Sequence, residues 1–455
     1  MKAPGRIFRE YDIRGVWGAD LTGEAVYAIG RAFAWCLRQR FPGAKEPAVT
    51  IGRDARTSSP LMLEALARAL TESGLSVIDI GVCPTPLQYF SLFRLPVLGG
   101  IMITASHNPA EYNGLKLSIG TETIHGEDIQ RIRRCVEEGR TVNGGGTLSA
   151  RQIVPDYFEY MRGQFTTFSG IKAVLDAGNG VAGIVAPELF REFGAETVCL
   201  YCEPDGSFPN HHPDPVVAEN LKDLIAAVKS EKADIGIGYD GDGDRIGVVD
   251  SDGEIIWGDR LLVLFARDVL SRNPGATIIG EVKCSQSLYD DIEAHGGKPL
   301  MWKTGHSILK SKMKECGALL AGEMSGHIFF KERYLGYDDA VYASLRLMES
   351  LKRNGPPYSI KRLLKGLPRL HSTPEIRVDC PDDRKFGVVE RLREELRSDY
   401  SVIDIDGVRV RYPEGWGLVR ASNTQPALVL RFEAKTPEAL EDIRRDLEGR
   451  LEKLL

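Results

Sequence analysis

The chain has 455 residues, of which 43% are hydrophobic and 27% are charged, and its formal net charge at pH 7 is −6. These values are typical of a soluble globular protein and argue against binding to nucleic acid or to an anionic membrane. No apolar run approaches the roughly 18 residues of a membrane span, and the residues after Met1 lack the apolar core of a signal peptide. We therefore expect a cytoplasmic protein whose eight scattered cysteines stay reduced.

Strand and helix patterns alternate from the N-terminus to about residue 367, which predicts α/β domains whose helices pack on sheets. The first clear elements are a strand at 48–52, a helix at 59–73 and a strand at 76–80. A glycine-rich run at 143–146 marks the first boundary, and turn-forming residues mark two more. The predicted domains cover residues 1–150, 151–253, 254–367 and 368–455.

The pattern changes after residue 368, where short strands follow one another closely. Consecutive short strands are typical of an antiparallel sheet, so we expect a C-terminal α+β domain. The predicted strands of this domain cover residues 374–380, 402–406, 408–412, 417–420 and 428–434. The predicted helices cover residues 382–397 and 437–455.

The first loop with chemical potential is T-A-S-H-N-P at residues 104–109, directly after a short apolar strand pattern. The Asn-Gly pair at 113–114 predicts a tight turn into a strand at 115–119. If the chain doubles back, Lys116 approaches Ser106, and a loop serine beside a basic group is a candidate nucleophile or phosphate carrier. A simple turn formed by Ser, Asn and Pro is the alternative that this stretch alone leaves open.

The second loop is D-G-D-G-D-R at residues 240–245, between two apolar segments. The carboxylates of Asp240, Asp242 and Asp244 repel one another unless a cation neutralises them, and the intervening glycines allow them to converge. Oxygen ligands of this kind suit Mg²⁺ or Ca²⁺. Arg245 is well placed to hold a phosphate that also touches the metal. An acidic loop facing solvent is the alternative.

The third loop is G-E-M-S-G-H at residues 322–327, after one apolar run and before another. Its Glu, Ser and His side chains are suitable hydrogen-bonding partners for the hydroxyl groups of a sugar. Glycines at both ends also fit a simple polar turn, which remains an equal alternative. The sugar-binding candidates in this loop are Glu323, Ser325 and His327.

The fourth loop lies at residues 420–426 and reads R-A-S-N-T-Q-P. Arginine offers a planar fork of donors, and hydroxyl groups and turn amides offer more, which together suit a phosphate. A plain loop between two strands is the alternative. A separate run at 178–183 matches the G-x-G-x-x-G dinucleotide pattern, but Asp176 just before it would repel a pyrophosphate. We interpret that run as a tight strand–helix turn with close backbone packing.

In this order, the four loops resemble those of the α-D-phosphohexomutase superfamily, and specifically its phosphomannomutase/phosphoglucomutase branch. The resemblance covers nearly the whole chain, and R-E-Y-D-I-R-G at residues 9–15 is similar to the family segment that lines the cleft. The first to fourth loops look like the family's phosphoserine, metal, sugar-recognition and phosphate-binding loops. Met324 and Asn423 are similar to the mannose/glucose branch rather than to the glucosamine branch.

The resemblance implies three α/β domains with mixed sheets and a C-terminal α+β domain with an antiparallel sheet, arranged around a central cleft. It implies the interconversion of hexose 1-phosphate and hexose 6-phosphate, with mannose, glucose or both as the sugar. A phosphoryl group on Ser106 would pass to the sugar phosphate, and a 1,6-bisphosphate would turn around before Ser106 takes the other group back. Glucose 1,6-bisphosphate or mannose 1,6-bisphosphate would act as activator.

The resemblance also assigns roles to single residues. The implied catalytic residues are Ser106, Lys116, Arg245 and His107. The implied ligands of Mg²⁺ are Ser106, Asp240, Asp242 and Asp244. The implied substrate-binding residues are Arg14, Tyr11, Lys283, His306, Glu323, Ser325, His327, Arg420, Ser422, Asn423 and Thr424.

Two other kinds of activity remain open at this point. The chain could be a phosphoglucosamine mutase, or a metal-dependent sugar phosphatase in which an aspartate of residues 240–245 is the nucleophile. A sugar-phosphate-binding protein without turnover is a third possibility. For the favoured mutase we expect small sugar phosphates as the only partners, no nucleic acid or membrane, and a monomer or weak homodimer.

Overall fold

The structure is a computed structural model, and it describes residues 3–423 and 425–455. In this part of the chain the strands form four separate sheets of seven, five, four and six strands. We call the regions built on these sheets the first to fourth domains. The divisions predicted at residues 150, 253 and 367 stay predictions.

The first domain has a mixed sheet in the strand order β1-β5-β4-β2-β3-β7, with β6 paired to β5. Strands β4, β2, β3 and β7 run parallel, and β5 is antiparallel to both of its neighbours in this order. Its strands are β1 (Ile13–Val16), β2 (Ala48–Arg53), β3 (Ser76–Val82), β4 (Gly99–Ile103), β5 (Tyr112–Ile119), β6 (Glu122–Thr123) and β7 (Leu148–Ala150). Its helices are α1 (Gly23–Arg40), α2 (Ser59–Thr71), α3 (Thr85–Arg94) and α4 (Glu127–Glu137).

The tight turn predicted at residues 113–114 is wrong, because Asn113 and Gly114 lie inside β5 and pair with β1. A side chain on Gly114 would come within 2.5 Å of the Ile13 carbonyl oxygen and 2.8 Å of the Thr104 carbonyl oxygen. Asn113 is buried, and its amide donates to the hydroxyl of Ser58. The Asn-Gly pair therefore permits a close approach of two strands rather than a reversal of the chain.

The second and third domains also have mixed sheets, in the orders β12-β11-β10-β8-β9 and β14-β13-β15-β16. The second contains β8 (Lys172–Asp176), β9 (Glu196–Leu200), β10 (Ile235–Tyr239), β11 (Ile246–Asp250), β12 (Ile255–Ile256), α5 (Val154–Arg162), α6 (Ala186–Glu192) and α7 (Lys222–Glu231). The third contains β13 (Thr277–Glu281), β14 (Lys298–Trp302), β15 (Leu320–Gly322), β16 (Ile328–Phe330), α8 (Gly258–Arg272), α9 (Gln286–Ala294), α10 (His306–Cys316), α11 (Ala340–Asn354) and α12 (Ile360–Leu363).

The fourth domain has an antiparallel sheet in the order β17-β22-β21-β20-β19, with β18 paired to β22. Its strands are β17 (His371–Ser372), β18 (Ile376–Asp379), β19 (Ser401–Ile403), β20 (Val408–Tyr412), β21 (Gly415–Ala421) and β22 (Ala427–Ala434), and its helices are α13 (Lys385–Leu396) and α14 (Pro437–Glu452). The predicted fold class, with three α/β domains and a C-terminal antiparallel α+β domain, is confirmed.

The hydrophobic cores show which domains form one body. A continuous apolar cluster joins α3 of the first domain to the second and third domains, whereas the rest of the first domain and the fourth domain each have a core of their own. A small apolar cluster of Val282, Trp416 and Leu418 joins the third domain to the fourth. Within residues 3–423 and 425–455, no helix combines the length and the apolar surface needed to cross a bilayer.

Candidate active site

Ser106 follows β4 on a short loop and is buried, with only 3% of its surface exposed. Its hydroxyl donates to the Oδ2 atom of Asp240 over 2.7 Å and lies 3.2 Å from the Nδ1 atom of His107. Its backbone φ angle is 52°, in the left-handed region that non-glycine residues seldom adopt. Burial, first of all, and the nearby positive charges of Arg245 and Arg14 lower the pKa of His107, so that its imidazole is neutral.

The loop at residues 240–245 packs directly against the serine loop. A side chain on Gly241 would come within 2.6 Å of the Ser106 carbonyl oxygen, so the glycine allows this close approach. Asp240 accepts hydrogen bonds from the backbone amides of Asp244 and Arg245, each over 3.1 Å. These hydrogen bonds fold the loop around the carboxylate of Asp240 and bring Asp242 and Asp244 toward it.

The carboxylates of Asp240, Asp242 and Asp244 are fully buried, and they offer oxygen atoms that lie within 4.8 Å of one another. Burial and the charges of its two neighbours raise the pKa of Asp240 to about 8, since the three carboxylates share one buried site. One buried oxygen each of Asp242 and Asp244 accepts no hydrogen bond from any described residue. These oxygens fit a hard divalent cation.

Two basic side chains contact the same carboxylates. The Nζ atom of Lys116 donates to Asp242 over 2.8 Å and also to Asp244. Burial opposes its charge, but the two aspartates outweigh burial and raise the pKa of Lys116, so the ammonium group stays protonated. The Nε atom of Arg245 donates to Asp240 over 3.1 Å, and its Nη1 atom lies 3.2 Å from Asp214.

Two histidines from the third domain line the other side of the cluster. The rings of His306 and His327 stack with centroids 5.4 Å apart. The Nδ1 atom of His327 lies 2.9 Å from Asp338 and 3.6 Å from Asp244. Burial opposes the charge of His327, but Asp244 and Asp338 outweigh it and raise its pKa. Lys310 also pairs with Asp338, over 3.0 Å.

The third loop forms a compact polar turn around Glu323. One carboxylate oxygen of Glu323 accepts from the backbone amide of Gly305 over 2.7 Å, and the other accepts from the hydroxyl of Ser325 over 2.8 Å. A side chain on Gly305 would collide with the ring of Tyr11 at 2.5 Å. Lys283 of the same domain donates to Glu375 of the fourth domain over 2.6 Å.

The fourth loop faces the first and third domains. The Nη2 atom of Arg420 lies 3.0 Å from Asp406, a partly buried residue between β19 and β20, so this carboxylate holds the guanidinium. The amide of Asn423 donates to the hydroxyl of Tyr11 over 2.6 Å. The hydroxyl of Ser422 accepts from the Gln425 amide over 3.2 Å. Thr424, which is also predicted to bind substrate, lies outside the described residues.

Arg14, predicted to bind substrate, contacts the serine loop. Its Nη1 atom donates to the side chain of Asn108 over 2.7 Å and to the carbonyl oxygen of Ala105 over 3.2 Å. Its Nε atom donates to Asp12 over 2.8 Å. The guanidinium therefore connects β1 to the loop that carries the serine.

Sequence reasoning missed several polar residues of this site, among them Thr85, Asp214 and Asp338. Two short polar motifs in the sequence could have pointed to Asp214 and Asp338. They are H-H-P-D-P at 211–215 and Y-D-D at 337–339. Neither motif is informative until the fold places it beside residues 240–245.

The G-x-G-x-x-G run at 178–183 serves packing, as interpreted from the sequence. A side chain on Gly180 would come within 2.8 Å of the Gly241 carbonyl oxygen, so this glycine lets the run support the acidic loop. The carboxylate of Asp176 accepts from the Gly178 amide over 2.9 Å and pairs with His211. Asp176 thus occupies the turn where the dinucleotide pattern would place a pyrophosphate.

Fold and site together define an α/β enzyme in which four domains contribute to one polar centre. Models of the family's four domains match in order, namely alpha/beta/alpha domains I, II and III of phosphoglucomutase/phosphomannomutase at residues 5–143, 155–253 and 257–370 and its C-terminal domain at residues 375–449. The chain belongs to the phosphoglucomutase/phosphomannomutase family. The resemblance to the α-D-phosphohexomutase superfamily is thereby confirmed.

Individual relatives are similar over nearly their whole length. A phosphomannomutase/phosphoglucomutase of Pseudomonas aeruginosa is 50% identical over 442 residues, which cover 97% of this chain and 94% of that protein. A phosphoglucomutase of Neisseria gonorrhoeae is 47% identical, with 96% of this chain and 95% of that protein covered. The crystal structure of a phosphoglucomutase/phosphomannomutase family protein from Burkholderia thailandensis superposes with a TM-score of 0.92 at 45% identity, covering 99% of this chain and 97% of that one.

Proposed function

We propose that this chain interconverts hexose 1-phosphates and hexose 6-phosphates, with mannose, glucose or both as the sugar. The observation that carries the proposal is the 2.7 Å hydrogen bond between the Ser106 hydroxyl and Asp240, inside a cluster of buried carboxylates that also binds Lys116. Packing alone does not explain three buried carboxylates beside a buried serine. They are explained if Ser106 carries a phosphoryl group and the three aspartates bind a cation beside it.

Ser106 would carry the transferable phosphoryl group. In the forward step the bond between phosphorus and the serine oxygen breaks, and a bond to the free hydroxyl of the sugar phosphate forms. The sugar hydroxyl loses its proton and the serine oxygen gains one. The product is a 1,6-bisphosphate, which turns around so that Ser106 takes the other phosphoryl group. Free 1,6-bisphosphate would activate the enzyme by phosphorylating Ser106.

The basic residues would offset charge on the group in transfer. Lys116 remains protonated beside Asp242, and Arg245 is held by Asp240, so both cations are fixed before substrate arrives. Such preorganised charge is the main contribution that proteins make to phosphoryl transfer. The neutral ring of His107 would help to fix the serine side chain.

The acidic cluster fits Mg²⁺, which Asp240, Asp242 and Asp244 would hold together with an oxygen on Ser106. When bound, the ion supplies Lewis-acid polarisation of the phosphoserine oxygens. The support is the pair of buried carboxylate oxygens that lack a hydrogen-bond donor among the described residues, together with the excess of negative charge.

The remaining candidate residues would hold the sugar phosphate. Glu323 and Ser325 would bind sugar hydroxyls, and the fourth loop would bind the phosphate that does not react. Since the bisphosphate must turn around, one anchor has to accept the 1-phosphate and the 6-phosphate alike. The other candidates for contacts with the substrate are Arg14, Tyr11, Lys283, His306, His327, Arg420, Ser422, Asn423 and Thr424.

Of the alternatives that the sequence left open, the phosphoglucosamine mutase and the phosphatase are not favoured. Relatives that are 45–50% identical are named phosphomannomutase/phosphoglucomutase or phosphoglucomutase, and these names do not include glucosamine. A phosphatase with an aspartyl nucleophile would leave the position of Ser106 without a purpose. We also propose that the enzyme is cytoplasmic and that it is a monomer or weak homodimer. Analytical ultracentrifugation of the purified protein tests the oligomeric state.

One assay tests the function. The purified protein is given glucose 1-phosphate or mannose 1-phosphate with Mg²⁺ and a trace of glucose 1,6-bisphosphate. Isomerisation to the 6-phosphate is expected, while release of free phosphate would indicate a phosphatase and no change a binding protein. Peptide mapping of the purified enzyme should find phosphate on Ser106. Full activity in Ser106→Ala would overturn the proposed role of the serine.

A further inference from the structure

The guanidinium group of Arg56 lies beneath the loop that carries Ser106 and is completely enclosed, with 1% of the residue exposed. Its Nη2 atom donates to the carbonyl oxygens of Ser106 over 2.8 Å and Asn108 over 2.6 Å. Its Nη1 atom donates to the carbonyl oxygens of Pro109 over 2.6 Å and Tyr112 over 3.0 Å. Three carbonyl oxygens of the serine loop and that of Tyr112, the first residue of β5, therefore converge on a single side chain.

The fifth donor of the guanidinium fixes the orientation of Arg56 itself. Its Nε atom donates to the Oδ2 atom of Asp54 over 3.1 Å. The other oxygen of Asp54 accepts from the backbone amide of Arg56 over 3.0 Å and from the hydroxyl of Ser59 over 2.9 Å. An arginine side chain has five N–H donors in a rigid planar fork, and all five are used here.

The second domain closes the remaining face of the guanidinium. The ring of Phe208 lies 5.1 Å from the Cζ atom of Arg56, within the range of a cation–π contact. A side chain on Gly206 would come within 2.3 Å of the Ala55 carbonyl oxygen, so the two backbones are in close contact. Arg56 is thus held between the serine loop of the first domain and a loop of the second domain. The second domain also supplies the three aspartates, on a different loop.

We infer that Arg56 is a positioning residue, which holds the serine loop so that the Ser106 hydroxyl stays aligned with Asp240. Ser106 has an unfavourable φ angle of 52°. Without the hydrogen bonds from Arg56 to its carbonyl oxygens, the loop would relax to a more favourable backbone conformation. Arg56 does not touch the substrate in this proposal and acts only through the loop. The inference rests on the proposed function, in which Ser106 carries the phosphoryl group.

The test compares two buried arginines, each replaced by lysine. Lysine keeps the charge but has three donors on one atom, so Arg56→Lys cannot hold four carbonyl oxygens and Asp54 at once. The matched control is Arg346→Lys in α11, because Arg346 is also fully buried and binds Asp268 and a backbone carbonyl oxygen. Thermal unfolding and circular dichroism establish that both variants fold.

The expected result is a kcat about 100-fold below wild type in Arg56→Lys with KM changed less than about twofold, since a small misplacement of a reacting group costs this much. Phosphorylation of Ser106 by glucose 1,6-bisphosphate, followed by intact mass, should slow by the same factor. Arg346→Lys should keep kcat within about threefold of wild type. Wild-type kinetics of Ser106 phosphorylation in a folded Arg56→Lys protein would overturn the inference.

If Arg56→Lys does not fold, Phe208→Leu replaces it, because this change at a partly exposed side chain removes only the ring contact. It should lower kcat with KM unchanged, and an unchanged kcat would count against the inference. Failure of the proposed function looks different, since phosphate would then map to a residue other than Ser106 in the wild-type enzyme. The two failures are therefore distinguishable in the same mass spectra.

Discussion

The side-chain amide of Asn423 donates a 2.6 Å hydrogen bond to the hydroxyl of Tyr11, although the two residues are 412 positions apart in the sequence. The same hydroxyl donates to the carbonyl oxygen of Thr304 over 2.8 Å. Burial, above all, raises the pKa of Tyr11, so the hydroxyl keeps the proton that this second bond requires. One oxygen atom thus joins the fourth domain to the first and the third.

We predict that Tyr11→Phe loosens the contact of the fourth domain with the rest of the enzyme. Two hydrogen bonds are lost, each worth about 1 kcal/mol, while the ring that packs on Gly305 remains. KM for the sugar phosphate should rise about tenfold because less of the enzyme has its fourth loop in place. Tyr27→Phe, which removes an exposed hydroxyl in α1, is the control and should leave KM unchanged. Equal KM values for both variants and the wild type would contradict the prediction.

We predict that the acidic cluster makes the enzyme dependent on a divalent cation. Chelation should abolish activity, and Mg²⁺ should restore it. Asp242→Asn should lower Mg²⁺ affinity in calorimetric titration by at least about tenfold, the usual cost of disturbing a metal site. Asp250→Asn is a matched control, because Asp250 is equally buried at the other end of the same hairpin. Full activity after exhaustive chelation would show that the cluster has another purpose.

The ion pair between Lys283 and Glu375 should make stability depend on acid pH. The charge of Lys283 lowers the pKa of Glu375 from 4.5 to about 2. A carboxylate whose pKa is lower in the folded state stabilises the fold above its unfolded pKa, so this contribution is lost as pH falls from about 4.5 to about 2. At neutral pH it amounts to roughly 3 kcal/mol at most.

Urea unfolding of wild type and Glu375→Gln measures this contribution. The difference in free energy of unfolding should be full at pH 7 and should shrink at pH 3. Glu414→Gln removes an exposed carboxylate of the same domain and should show no such difference. A Glu375→Gln penalty that is the same at both pH values would mean that the pair does not act through charge.

Much of the fold could be predicted from the sequence because helix and strand patterns differ in period. The helix at Ser59–Thr71 and the strand at Ala48–Arg53 were both anticipated within two residues. The Asn-Gly pair at 113–114 was misread because such a pair suits either a tight turn or a close approach of two strands. Only the partner strand β1 decides between them, and that contact is tertiary.

The site could be predicted where several reactive side chains follow one another, as in residues 240–245. The structure brings these residues together with Ser106, although the roles assigned to them remain predictions. Asp338 could not be found in this way, because its partner His327 lies 11 residues earlier and the contact depends on how β16 and α11 pack. The role of Arg56 could not be predicted either, since the groups that it holds in the serine loop are backbone carbonyl oxygens, which every residue has.

The last prediction concerns the anchor for the phosphate that does not react. Arg420 lies on the fourth domain and is held by Asp406, so its guanidinium is oriented before the ligand arrives. A charged hydrogen bond is worth about 1.5–3 kcal/mol, so Arg420→Ala should raise KM and lower kcat/KM roughly 10- to 100-fold. Phosphorylation of Ser106 by bisphosphate should still occur. Arg411→Ala, which changes an exposed arginine on β20, is the control and should retain wild-type kinetics.

X-ray scattering measures whether the ligand draws the fourth domain toward the others. The radius of gyration should decrease with ligand in the wild type but not in Arg420→Ala. Near-normal kinetics in Arg420→Ala would remove this role from the fourth loop.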